Sequence, residues 1–412
     1  MTAIVIGAGA AGLATAIFAK RAAPDLDVRC VDGATKIGAK ILVSGGSRCN
    51  VTNRVVTERD FWGGSSRVVR NVLRAFPADR AAAFFESLGV PLHEEEDGKL
   101  FPDTNRSRTV LDALLAEASR VGVIVETGMR INAIVREAQG FVAEAAGGPR
   151  FDAQSVVLAT GGRSLPKTGS DGFGYELARG LGHTCIETTP ALAPLVLESD
   201  RHAALAGVTH DVALSLRVNG STTVRIEGSM LWTHFGISGP AALNMSRHWH
   251  RAQVAGTQAE VRLNVCPGET FESIEEWWLA QERVRPRAQL STVLATRLPS
   301  SVAEAWIAHN GIDPGTTLAH LSKVDRRRLT HALLDTPLAV RDSRGYSYAE
   351  VTAGGVPLDE IDAATMQSRV CPGLFLVGEI LDVDGRLGGF NFQWAWSSGW
   401  VAGHAIAKAS RA

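Results

Sequence analysis

The sequence predicts an α/β fold in which a doubly wound domain is interrupted and later resumed, with a β-rich and a helical insertion between its two parts. Three observations lead there. The chain opens on Thr2-Ala-Ile-Val-Ile-Gly-Ala-Gly-Ala-Ala-Gly12, a hydrophobic strand that ends on glycine and feeds a helix. Near the other end, Leu374-Phe-Leu-Val-Gly-Glu379 repeats the strand-to-glycine pattern. Between them the alternation of strands and helices gives way at Pro190 to alternating β segments, and then to helical periodicity.

Taken in order, strand Ala3–Ile6 leads to helix Ala11–Ala23 and strand Val28–Asp32. Helices follow over Ser66–Phe76, Asp79–Leu88 and Thr109–Val121, then strand Val123–Glu126. A short meander, Ile131–Arg136 and Phe141–Ala145, turns near Gly140, and strand Ser155–Ala159 runs into Thr160-Gly161-Gly162. From Pro190 to Val265 the pattern is antiparallel β, as in Val212–Val218 turning at Asn219-Gly220. Residues 268–333 are helical, with Trp277, Trp278, Leu290, Leu294, Leu298 and Trp306 as core. After Tyr346–Thr352 the chain rejoins its first domain through Leu374–Gly378, and a last helix covers Asn391–Lys408. The domain reading is therefore 1–189 with 353–412, a β-rich insertion of 190–267 with 334–352, and a helical insertion of 268–333.

At 412 residues the chain exceeds what one core fills. With 45% hydrophobic and 21% charged residues it reads as globular, and a net charge of −1 gives no overall field toward nucleic acid or membrane, leaving local patches open. No apolar run approaches the ~20 residues of a membrane span, and the first strand follows Met1 directly, so a cytoplasmic protein without a signal peptide is expected. Cysteines 30, 49, 185, 266 and 371 form no Cys-x-x-Cys pair and the histidines show no zinc spacing, so no metal is expected.

The opening motif suits a dinucleotide. Gly7 makes a tight turn, Gly9 lets the backbone approach a pyrophosphate, Gly12 lets the helix close on the strand, and the helix N-terminus faces the phosphates. Asp32 would accept hydrogen bonds from an adenosine ribose. A continuous NAD domain would not return at the far end of the chain; a flavoprotein would. Beyond Asp32, Lys40-Ile-Leu-Val-Ser-Gly-Gly-Ser-Arg-Cys-Asn50 offers backbone N–H groups at Ser44, Gly45 and Gly46 and a guanidinium at Arg48. Cys49 is a candidate nucleophile or proton donor, weighed against a small buried residue in a tight turn. Gly378-Glu-Ile-Leu-Asp-Val-Asp-Gly-Arg-Leu-Gly-Gly-Phe-Asn391 precedes the last helix, whose positive end would stabilise a reduced flavin. Trp394, Trp396 and Trp400 read as helix packing. His234, in a glycine-flanked loop of the insertion, is the candidate proton donor above the flavin. Arg67, Arg70 and Arg74, followed by Arg80, and Arg326, Arg327 and Arg328 are either solvated faces or two clusters holding a phosphate-rich substrate.

These segments, together with Val51-Thr52-Asn53, Phe101-Pro102, Pro166–Tyr175, Pro190–Leu195, Thr233–Pro240 and Gly354–Val356, resemble the BaiN-like (YhiN-like) NAD(P)/FAD-dependent oxidoreductases, within the glutathione-reductase-like flavoproteins. The likeness runs in order along essentially the whole chain. It implies a discontinuous Rossmann-like FAD-binding domain with β-barrel-like and helical insertions. It implies FAD contacts from Gly7, Ala8, Gly9, Ala11, Gly12, Asp32, Lys40, Ser44, Gly45, Arg48, Cys49, Asn50, Ile131, Thr160, Gly161, Gly378, Glu379, Gly388, Gly389, Phe390 and Asn391, with His234, Cys49 and Asn50 as catalytic candidates. Asp32 stands where the family more often has glutamate, and the shorter carboxylate still reaches a ribose hydroxyl. Members of the resembled family reduce activated C=C bonds, one branch on small steroid enones of the bile-acid type, another on uridine in ribosomal RNA. Hydride from NAD(P)H would pass through flavin N5 to the substrate. No second Gly-x-Gly-x-x-Gly exists, so nicotinamide would visit the flavin face transiently in a ping-pong cycle, or another donor serves. An FAD-binding redox sensor without an enzymatic reaction is the third reading.

Overall fold

The first strand, Thr2–Ile6, lies inside a seven-stranded sheet, with Asp27–Asp32 on one side and Ser155–Leu158 on the other. Those neighbours, and the next ones out, Ile124–Thr127 and Leu374–Leu376, all run parallel to it. A hairpin of Ile361–Asp362 and Gln367–Ser368 adds an antiparallel edge. The strand order therefore reverses at the first strand, which is where an open α/β sheet binds its ligand. The computed structural model describes residues 2–411.

The chain divides into two compact units, one running up to Pro190 and resuming at Tyr346, the other spanning Ala191–Gly345. In the first, the early helix Ala10–Ala22 packs along the C-terminal helix Phe390–Ala409. Two glycines let them touch: a Cβ at Gly399 would stand 2.9 Å from the Ala11 carbonyl oxygen, and one at Gly403 2.7 Å from that of Thr15. Those contacts also give the register. The helices run in the same sense, and the C-terminal one starts about six residues, roughly 9 Å, ahead of the other. The return of the chain at Leu374 thus completes the first domain's core, and Trp394 and Trp396 are buried in it at 2% and 1% exposure.

In the second unit the strand Thr209–Val218 turns at Asn219 and Gly220, both at positive φ (50° and 81°), into Ser221–Thr233. This is the hairpin that the Asn-Gly pair predicts. The antiparallel sheet has seven strands, and its two edges are Thr336–Leu338 and Val340–Ser343. Ala339 alone separates those edges in sequence, so the sheet curls until they meet, a barrel-like closure. The helical stretch contributes Phe271–Val284, Leu290–Leu294, Ser300–His309 and Lys323–Leu334. It shares one core with the sheet: Leu214, Trp232 and Leu263 cluster with Trp278, Leu294, Trp306 and Leu329. Trp277 is only half-buried, beneath the Arg297 guanidinium at 4.5 Å, in place of the core position expected for it.

Candidate functional site

Two glycines of the opening motif are sterically required, and the third faces open space. Gly7 turns at φ +104°, and a Cβ there would lie 2.4 Å from the Ala159 carbonyl oxygen. At Gly12 a Cβ would overlap the Gly7 carbonyl oxygen at 1.9 Å, so this residue sets the approach of helix to strand. At Gly9 a Cβ would meet nothing within 4 Å. The helix N-terminus is thus bare backbone facing open space, a cradle for an anion.

Asp32 closes the second strand, and its carboxylate accepts from the Ala8 N–H at 2.7 Å and the Ala34 N–H at 2.8 Å. The Ala8 amide is therefore engaged within the protein. Both Asp32 oxygens keep a lone pair for ribose hydroxyls. Ile131, buried at 3%, begins the meander strand Ile131–Glu137.

The Lys40–Asn50 segment is a helix followed by a left-handed turn. Helical assignment covers Ala39–Ser47, but Ser44 is extended (ψ 150°), Gly45 and Gly46 have φ of 54° and 67°, and Ser47 and Cys49 also turn positive. A Cβ at Gly45 would press on the Asn50 amide nitrogen at 2.9 Å, whereas Gly46 faces open space. Arg48 does not point free: it donates to Glu95 at 2.6 Å and stacks on Phe101 at 4.1 Å. That hydrogen bond holds the Glu95 carboxyl below its ordinary range. Cys49 is wholly buried, and burial pushes its thiol up to about 12, so no thiolate forms at neutral pH. The structure therefore favours packing for this residue.

Lys40 reaches across to the other half of the domain. Its ammonium donates to Ser164 Oγ at 2.5 Å and to the Glu379 carboxylate. Glu379 also accepts from Ser164 Oγ at 2.8 Å and from the Thr352 N–H at 3.0 Å. Gly162 makes room, since a Cβ there would stand 2.4 Å from Thr352 Oγ1 and 2.7 Å from Glu379 Oε1. Lys40 and Glu379 thus form one ion-paired node joining four segments, those of Lys40, Ser164, Thr352 and Glu379. Gly161, at φ +71°, abuts Ser170, and Gly378, at φ +72°, lies against Ala11. The Gly378 N–H donates to Ser398 Oγ at 3.0 Å, and its carbonyl accepts from Trp394 Nε1 at 3.1 Å.

Gly388 and Gly389, at φ 128° and 91°, swing the chain into the C-terminal helix at Phe390. Asn391 reads the Gly385 backbone twice, accepting its N–H at 2.8 Å and donating to its carbonyl at 2.9 Å. A Cβ at Gly389 would lie 2.6 Å from the Thr52 carbonyl and 2.8 Å from Asn50 Oδ1. Hence the structure brings the Lys40–Asn50 loop, the opening motif and the Gly378–Asn391 segment together on one side of the sheet.

Three buried polar atoms in this region have no hydrogen-bond partner: Asn50 Oδ1, Thr160 Oγ1 and Tyr175 Oη. Buried polar groups are rarely left so. A ligand with hydroxyl and N–H groups fits them, and the bare turns at Gly9 and Gly46 fit its phosphates. FAD has all of these groups. Burial raises the Tyr175 hydroxyl pKa, with the Glu379 charge adding to it, so it stays a neutral donor. Tyr175 closes a segment shared with the resembled family but was given no role, and Ser164, Thr352 and Gln393 did not stand out in the sequence. Gln393 offered one signal, an amide set between Phe392 and Trp394 in the last helix.

His234 belongs to the second unit, exposed in the turn between Ser221–Thr233 and Gly236–Ser238, its ring edge-on to Phe235 at 5.1 Å. Every other site candidate lies in the first. The arginine clusters also resolve. Arg326 is a largely buried partner of Glu275 at 3.2 Å, Arg328 pairs with Asp325 at 2.6 Å, and Arg327 lies over Phe271. These three face different partners and make no common anion site. On the helix Ser66–Ala75, Arg67 and Arg74 are exposed, while Arg70 leans toward Glu58 at 3.8 Å. Arg80 lies over Trp400 at 5.2 Å.

Comparison with known proteins adds an independent line. A family model described as the HI0933-like protein Rossmann domain matches residues 1–405. The chain is 34% identical over 404 residues to a 3-dehydro-bile acid delta(4,6)-reductase of Clostridium scindens, which covers 98% of each chain. It is 33% identical over 402 residues to a ribosomal RNA dihydrouridine synthase of Escherichia coli, covering 97% of this chain and 96% of the relative. Among solved structures, E. coli quinol fumarate reductase FrdA is similar in fold, with a TM-score of 0.51 and 17% identity over 100% of this chain and 71% of that one.

Proposed function

The chain belongs to the HI0933-like Rossmann-domain family, and from that premise we propose that it is an FAD-dependent reductase of a C=C bond conjugated to a carbonyl. The observation that carries the reading is full-length similarity to two relatives whose names describe the same chemistry on different molecules. A 4,6-unsaturated 3-oxo steroid and the uracil ring each hold a C=C bond polarised by a carbonyl. Bound FAD supplies the two-electron hydride chemistry, with NAD(P)H as the source of reducing equivalents. The chain's own residues hold and orient. Gly9 and Gly46 present backbone to the phosphates, Asp32 accepts from the ribose, Asn50 and Thr160 complete the polar contacts, and the Lys40–Glu379 pair locks the two halves of the cradle. Cys49, sealed and protonated, packs the loop. His234 is the proposed proton donor to the carbon beside the carbonyl.

Two substrates satisfy this chemistry. Small enones are the first reading, because the Arg326–Arg328 cluster is taken up by neighbours and the net charge is −1. Uridine in RNA is the second, favoured by the exposed Arg67 and Arg74 on one helix. Mass spectrometry of dihydrouridine in large-subunit ribosomal RNA, from the source organism with and without this gene, decides between them. Loss of the modification on deletion, restored by the intact gene, establishes the RNA reading. An unchanged signal removes it, and reoxidation of the reduced flavin by conjugated 3-oxo steroids then becomes the assay.

A further inference from the structure

Gln393 lies in the first turn of the helix Phe390–Ala409, among aromatic residues, and its amide is fully buried. A buried amide is costly unless its donors and acceptor are met. Here they are met by two other segments. Thr52 Oγ1 donates to Gln393 Oε1 at 2.6 Å, and Gln393 Nε2 donates to the Phe76 carbonyl at 2.8 Å and to Ser397 Oγ at 2.9 Å. Ser397 Oγ itself donates to the Phe76 carbonyl at 2.8 Å. A carbonyl can only accept, so Nε2 must face Phe76, and Oε1 must then face Thr52. The amide therefore has one orientation, and Thr52, also fully buried, must be the donor.

The same loop meets the start of the helix at Gly389, which packs on the Thr52 carbonyl and beside Asn50 Oδ1. Asn50 is 8% exposed, and its Oδ1 is an acceptor without a donor. An unpartnered acceptor held at a helix N-terminus calls for a ligand that brings an N–H or O–H. We propose that Gln393 is a positioning residue for the flavin: through Thr52 it fixes the N-terminus of the C-terminal helix against the Cys49–Asn53 loop, and so sets the midpoint potential of the bound cofactor. The proposal rests on the FAD reading above.

The physical link is the helix's partial positive charge, about half an elementary charge, whose effect falls off within a turn. Two-electron reduction at neutral pH leaves the flavin with a negative charge that the oxidised form lacks. A helix end held close therefore stabilises the reduced form more than the oxidised one. If the end withdraws, the reduced form is favoured less.

The test uses the FAD-loaded protein and three variants, Gln393→Met, Thr52→Val and the double variant, each titrated spectroelectrochemically after flavin stoichiometry is measured. Met conserves volume and removes the amide. In Gln393→Met the reduced-to-oxidised ratio at a given potential should fall three- to tenfold; tenfold is ~30 mV for a two-electron couple. The double variant removes the orphaned hydroxyl and so regains thermal stability. Its potential should stay shifted, because two apolar groups in contact impose no fixed height on the helix. A potential that tracks stability, recovering in the double variant, overturns the proposal, as does a wild-type potential in every variant that keeps stoichiometric FAD. If Gln393→Met does not fold, Thr52→Val carries the same comparison. A wild-type protein that neither carries nor takes up FAD rejects the functional reading, and this proposal with it.

Discussion

A single added carbon separates two kinds of glycine in the opening motif. Gly12→Ala places a methyl on the Gly7 carbonyl oxygen, so helix and strand must part, at a cost of about 2–4 kcal/mol. Gly9→Ala, at φ −83°, meets no protein atom and should leave the apoprotein's stability near wild type. It should weaken FAD at least roughly tenfold, because the methyl occupies the side from which a phosphate approaches. Thermal denaturation without FAD, followed by FAD titration, distinguishes the two. For Cys49→Ala we expect wild-type flavin reduction by NAD(P)H and a loss of about 1–2 kcal/mol from the small cavity, since the thiol stays protonated. A hundredfold loss in the substrate half-reaction, with flavin reduction intact, would return Cys49 to the chemistry. The role of Gly12 is legible in the sequence because the group it clears, the Gly7 carbonyl, is five residues away, whereas Gly7 itself clears Ala159, which only the fold brings near. The partners of Asp32, Lys40 and Arg48 are not legible either: Ala8, Glu379 and Glu95 reach them only through the fold.

Among the elements, the central parallel strands and the longer helices of the first domain followed from periodicity, because a buried parallel sheet leaves continuous apolar runs; the helix Phe173–Gly180 and short strands such as Leu92–Glu94 and Lys99–Pro102 did not. The helix Gly239–Val254 is the instructive exception, lying in a stretch that reads as β. Its start is marked by Pro240 in the first turn, yet His248 and His250 break the apolar face that would have announced it. Those histidines give this element a pH dependence. Burial, with the Arg247 charge adding to it, lowers the His248 pKa to about 3. The unfolded chain takes up that proton near pH ~6.5, so the contribution to stability is complete above that value and declines as pH falls toward 3. Between pH 7.5 and 5.0 we expect the second unit to lose about 1–2 kcal/mol from this residue. Thermal unfolding curves of wild type and His248→Gln should converge at low pH; parallel curves would show that His248 carries none of the dependence.

Whole-molecule questions turn on charge and on connectivity. If small enones are the substrate, Arg67→Glu with Arg74→Glu should leave steroid-enone turnover within twofold. If RNA is, the pair should weaken RNA binding and flatten its salt dependence by about one to two charges. Filter binding across a salt series reads this directly. The discontinuous architecture was legible from the returning Val377-Gly378-Glu379, but its hinge points were not. The strand Val351–Gly355 belongs to the first unit, and the helical stretch shares a core with the β-rich one, because apolar faces choose partners that sequence order does not reveal.

The pairing of the first helix with the C-terminal one has a consequence for biosynthesis. As the chain leaves the ribosome, its opening helix waits through the entire emergence of Ala191–Gly345 for the partner that covers its glycine-fitted face. The intervening unit has its own core and is free to fold during that interval. The nascent first unit lacks the strand Leu374–Leu376 and one wall of the cradle until its second segment has emerged. Capture of the proposed cofactor would therefore follow emergence of that segment, and until then an exposed helix face is what a chaperone would meet.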